Sequence, residues 1–114
     1  MYHEYTVRGE SMRDTLPTGT TITVDISPCS IAVGDLVVVK LNDNLIVKRI
    51  VLGPGDSMVE FERYPILKAF SEQWSGVLPN EHYLIQGDVP ESFDSTRFGP
   101  INTNDIVGRV VSYA

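Results

Sequence analysis

The sequence predicts one all-β domain whose strands close a twisted, barrel-like or multi-sheet body, with one or two short helical turns. Six short segments rich in β-branched and aromatic residues predict it, each bounded by Gly, Pro, Asn or Asp. So does size: 114 residues with 42% hydrophobic and 21% charged content suffice for one modest core, and residues 1–114 show no repeat, low-complexity tract or linker.

In chain order the strand segments are TTITVD (20–25), DLVVVKL (35–41), NLIVKRIVL (44–52), MVEFER (58–63), HYLIQGD (82–88) and IVGRVVSY (106–113). The turn at 42–44 joins two of them into a hairpin, and GPGD (53–56) ends the second. Helical spacing is confined to two places. ESMRDTL (10–16) allows a turn or two before Pro17, and PILKAFSEQWSG (65–76) sets Ile66, Leu67, Phe70 and Trp74 on one face.

Charge and composition exclude several function classes. Nine basic against 15 acidic residues give a net charge of -6, which opposes nucleic acid and anionic lipid as partners. One cysteine, Cys29, allows no internal disulfide and no thiolate zinc cluster, and reads as a small, partly buried side chain. His3 and His82 stand alone, so neither a metal site nor a histidine-based triad is expected. The opening MYHEYTVRGESM lacks the basic and apolar regions of a secretory signal, and no apolar run reaches the roughly 20 residues of a membrane span. A soluble chain needing no cofactor is the expectation; Met1 is what an intact short protein would show, and removal of an N-terminal anchor is the alternative, which would place the chain outside the membrane.

Three stretches can carry chemistry. Along 44–52 strand alternation aligns Ile46, Lys48, Ile50 and Leu52, so a lysine stands in an apolar row. Desolvation there would lower its pKa and make a neutral amine available as a base, although a lysine whose stem packs while its ammonium snorkels outward is the commoner case. In RGESMRDTLPTGT (8–20), Gly9 permits a close backbone approach and Ser11 follows; taken alone, Ser11 is more simply a helix cap. In GDVPESFDSTRFGP (87–100), the set Asp88, Ser92, Asp94, Ser95 and Arg97 could orient an amine and fix a wall by an ion pair, or line an ordinary surface loop.

Taken in order, GESM with its following TL, GDLVVV, VKRIVLGPGD, GDVPESFDSTRFGP and IVGRV resemble the type I signal peptidases, a family of serine-lysine endopeptidases. The resemblance spans Gly9 to Val110. It implies a β-rich catalytic core, Ser11 as nucleophile, Lys48 as general base and Met12 shaping the site. It further implies that Ser92 hydrogen-bonds the lysine amine and that Asp94 orders the nearby loop. The substrate would be an extended segment of a precursor protein with small side chains before the cut.

The match has departures. Val89 replaces an asparagine, Asp14 a proline, and Thr96 displaces Arg97 by one position, which disturbs an Asp94–Arg97 pairing. Gly9 stands where some members carry a serine that assists the oxyanion hole, leaving the Ser11 N–H as the donor. About two dozen residues separate Asp56 from Pro79, too few for the large accessory β domain of many members. The chain therefore resembles a minimal, cytoplasmic relative, such as the proteases that trim a leader from nickel-type superoxide dismutase. Two alternatives remain: a self-cleaving repressor-type Ser-Lys protease, and a β-rich peptide-binding module that has lost activity.

Overall fold

The computed structural model describes residues 1–27 and 30–114, so the expectation for Cys29 lies outside the described residues. Seven strands form one antiparallel sheet: β1 (Tyr2–Thr6), β2 (Thr21–Asp25), β3 (Leu36–Leu41), β4 (Asn44–Leu52), β5 (His82–Gln86), β6 (Ile101–Asn102) and β7 (Ile106–Tyr113). Their order is β1-β2-β7-β3-β4-β5-β6.

This order corrects the barrel-like expectation. The sheet is open, with β1 at one end, β6 at the other, and no pairing between them among the described residues. One reason is local. MVEFER (58–63) is not a strand but a 3-10 turn at Val59–Phe61. In a turn of three residues per rotation, positions i and i+3 share a side, so Met58 and Phe61 both reach one core where alternation would have separated Met58 from Phe61. No long strand is left to close the sheet.

Central β3 explains how both faces are covered. Its run Val37, Val38 and Val39 is buried throughout, as a strand packed on two sides requires. Val38 joins Val7, Met12, Leu16, Ile22 and Val24 in one cluster. Val37 and Val39 join Ile50, Ile85 and Ile101 in another, on the opposite face by alternation.

A third cluster lies beyond the end of β4. Helix α1 (Pro65–Gln73) starts with Pro at its first position and buries Leu67 against Met58, Leu78 and Leu84, with Ile66, Phe70 and Trp74 packed around them. This supports the helical reading of 65–76, shortened at its C-terminal end. No helical spacing in the sequence points to a second helix, α2 (Ser95–Phe98), whose N-terminus is capped by the Asp94 side chain.

Candidate active site

The serine and lysine meet. Residues 9–15 form a turn, held by Arg13 N–H to Glu10 O and by Thr15 and Leu16 N–H to Met12 O. Buried Met12 anchors the turn in the first cluster. On β4, Lys48 is paired with Val37 and is only 4% exposed. Lys48 Nζ and Ser11 Oγ are hydrogen-bonded at 2.5 Å. The snorkelling alternative therefore does not hold, and the serine hydroxyl is bonded to the amine instead of capping a turn. Burial pushes the Lys48 pKa down; the Asp94 carboxylate opposes this from a distance without cancelling it.

The block 87–100 closes over the pair from the other side. Gly87 is required by contact: a Cβ there would stand 2.2 Å from Ser92 Oγ and 2.9 Å from the Ser11 carbonyl oxygen. Next to it, the Asp88 N–H donates to Ser11 O at 2.9 Å. The Asp88 carboxylate accepts from Thr15 Oγ1 at 2.5 Å and from Arg49 Nε and Nη2, each at 3.2 Å. Arg49 also reaches Gly34 O at 3.2 Å. Burial raises the Asp88 pKa, but the bonds from Arg49 and Thr15 outweigh it and hold the carboxyl below its usual range. Asp88 thus links the turn carrying Ser11, by hydrogen bonds, to the strand carrying Lys48, by its ion pair with Arg49.

Asp94 orders the block from within. Only 2% exposed, it accepts from the Gly87 N–H at 2.9 Å and from the Thr96 N–H and hydroxyl at 3.0 and 2.7 Å. Arg97 lies outside the site: it is exposed and makes no ion pair with Asp94 among the described residues. The inserted Thr96 satisfies that carboxylate instead. Ser92 also departs from what the resemblance implies. It is buried beside Gly87, yet its Oγ has no hydrogen-bond partner among the described residues, and the lysine amine bonds Ser11.

Gly9 is held differently again. Thr18 Oγ1 accepts from the Gly9 N–H at 2.8 Å and donates to Gly9 O at 3.1 Å. With the Gly9 and Arg13 N–H groups engaged, the Ser11 N–H is without a protein acceptor among the described residues. Sequence reasoning missed Thr15 and Thr18, which carry no signal beyond their polarity. Ser95, whose buried Oγ accepts from the Ile85 N–H, was named only as part of a polar set.

The hydrogen-bonded pair helps to line a cleft of about 280 Å3, together with Val7, Met12, Ile22, Val38, Leu45 and Val47 among others. Both flanking backbones are open. Val7 bonds toward 19–20 through its N–H and C=O, so alternation turns the groups of Thr6 and Arg8 to the opposite side. Strand β4 pairs with β5 only from Arg49 onward, so 44–48 has β3 on one side and, among the described residues, no strand opposite. Through β2, β7 and β3 the antiparallel pairings make β1 and β4 run in the same sense.

Comparison with known families fits this arrangement. Residues 4–61, just over half the chain and including Ser11 and Lys48, match the family described as Peptidase S24-like. This chain belongs to the signal-peptidase-like S24/S26 serine proteases. The S26 side of that assignment rests on residues 59–114, which match the family described as signal peptidase, peptidase S26, and contain the block from Gly87 to Pro100. No curated protein matches the sequence significantly. Among the described residues no helix is long and apolar enough to cross a membrane.

Proposed function

We propose that this protein is an endopeptidase that removes a leader segment from a precursor protein by acyl transfer through Ser11 and Lys48. The observation that carries the reading is the hydrogen bond between Lys48 Nζ and Ser11 Oγ in a setting dry enough to lower the lysine pKa. A serine hydroxyl attacks poorly until a base takes its proton, and a neutral amine in contact with it meets that need. In the proposed sequence Lys48 takes the Ser11 proton as Oγ bonds to the scissile carbonyl carbon. The Ser11 N–H faces the oxyanion. The C–N bond breaks as Lys48 returns the proton to the leaving amine, and water activated by the same amine releases the acyl-enzyme.

The substrate binds extended between the two open edges, supplying a strand that bonds to both. Residues preceding the cut occupy the apolar cleft, so the peptide runs in the sense of β1 and β4 and reaches Ser11 at its C-terminal end. The finer reading is a cytoplasmic maturation protease acting on a leader such as that of nickel-type superoxide dismutase. It draws support from the compact link between β4 and β5, which contains only the Val59–Phe61 turn and α1 and no accessory sheet.

Ser11→Ala and Lys48→Met each lower kcat/KM on a cleavable precursor by at least about 1,000-fold while retaining the parent circular dichroism spectrum. Activity persisting in both purified variants ends the assignment. Incubation with that superoxide dismutase precursor and with a secretory precursor tests the finer reading, which falls if the secretory one is preferred.

A further inference from the structure

The cleft mixes apolar side chains with the polar groups of Thr6, Arg8, Ser11 and Lys48, and one cation beside it is unaccounted for. Arg13 pairs with Glu91 at 2.7 Å, and Arg49 is held by Asp88 and Gly34 O. Arg8 lines the cleft, is exposed, and makes no side-chain hydrogen bond or ion pair among the described residues. Its setting opposes the rest of the molecule: the net charge of -6 repels an acidic peptide in general, so attraction is concentrated at this point.

Strand geometry says which peptide positions it meets. Val7 is buried in the first cluster, so Arg8 projects to the opposite face. In a peptide running in the sense of β1, the side chains first and third before the cut turn to the apolar lining. Those second and fourth before it turn to the face of Arg8. Arg8 lies past the C-terminal end of β1, between that strand and the turn carrying Ser11, which sets it beside the nearer of these two positions, the second before the cut. We infer that Arg8 is a specificity residue selecting an acidic side chain at the second position before the scissile bond. This rests on the protease reading above and adds the substrate class to it.

The test is a set of decapeptides with alanine at the first and third positions before the cut and Glu, Gln or Lys at the second, read as ratios of kcat/KM. The parent favours Glu over Gln roughly two- to five-fold, the range of an exposed ion pair. The ratio shrinks toward one at about 0.5 M salt. Arg8→Glu inverts it in favour of Lys, and Arg8→Gln abolishes it. Cleavage with the same ratios in parent and variants overturns the inference while leaving the protease reading intact, as does a charge preference seated at the first or third position. Anisotropy with labelled peptides and the Ser11→Ala variant supplies a second readout: tighter binding of the Glu peptide, reversed in Arg8→Glu, supports the inference. Neither cleavage nor binding of any peptide overturns both readings.

Discussion

Lys48 shows what one misplaced charge does to a small core. Because burial lowers its pKa, the unfolded chain holds this proton over a range where the folded chain has released it. Stability therefore rises with pH between the lowered folded value and about 10.4, the ordinary lysine value. Lys48→Met removes that slope, so its Tm exceeds the parent's at neutral pH and the gap narrows in alkali; a gap independent of pH contradicts the assignment of a desolvated amine. Activity follows the same titration, since only the neutral amine takes a proton, and kcat/KM climbs as pH passes the lowered value. Gly87 is the second sensitive residue. A methyl there meets both Ser92 and the Ser11 carbonyl, so Gly87→Ala costs about 1–3 kcal/mol and lowers kcat. Adding Ser92→Gly restores stability in part, and leaves kcat low because the Ser11 contact persists. Thermal melts and turnover of both variants check this.

At the scale of elements, the question is how a turn, a strand and a loop are kept in register. Asp88, on the loop, does this by bonding to the other two: the Ser11 carbonyl and Thr15 on the turn, and Arg49 on β4. Its lowered pKa means that the stabilisation is complete above about 3.9 and is lost as pH falls through the folded value. Asp88→Asn costs roughly 1–2 kcal/mol at neutral pH and loses the acid limb of the parent's stability profile, which a pH series of urea melts will show. Elements with strong burial were legible in the sequence: the apolar run of β3, the hairpin to β4, and the face of α1. Strand β1 was not, because Tyr2, His3, Glu4 and Thr6 are exposed and leave no alternation to read. Residues 58–63 failed for the opposite reason, since Met58, Val59, Phe61 and their polar neighbours imitate alternation while folding as a turn.

For the whole molecule, the open sheet must curl enough to bring β1 and β4 to one cleft, and β7 is where the bend is made. It carries register shifts against both β2 and β3. Between them Gly108 lies so close to β2 that a Cβ would stand 2.4 Å from Asp25 O and 2.6 Å from Val24 Cγ1. Gly108→Ala separates these strands, costs on the order of 2 kcal/mol, lowers Tm by roughly 10 °C and weakens peptide cleavage far from the substitution. An unchanged Tm excludes this glycine as the point of closest strand approach. The Ser-Lys pairing was legible before any coordinates because its motifs keep their order. The partners of Asp94 were not, since a one-residue insertion at Thr96 redirects bonds that spacing alone does not encode.

A protein that leaves two co-directional backbone edges unpaired beside one cleft reads main-chain hydrogen bonds before it reads side chains. Cyclic peptidomimetics locked in the extended form arrive with their ordering entropy already spent. Methylating amide nitrogens along one flank and then the other would separate the grip of residues 5–9 from that of 44–48, and would open a route to inhibitors that need no reactive group.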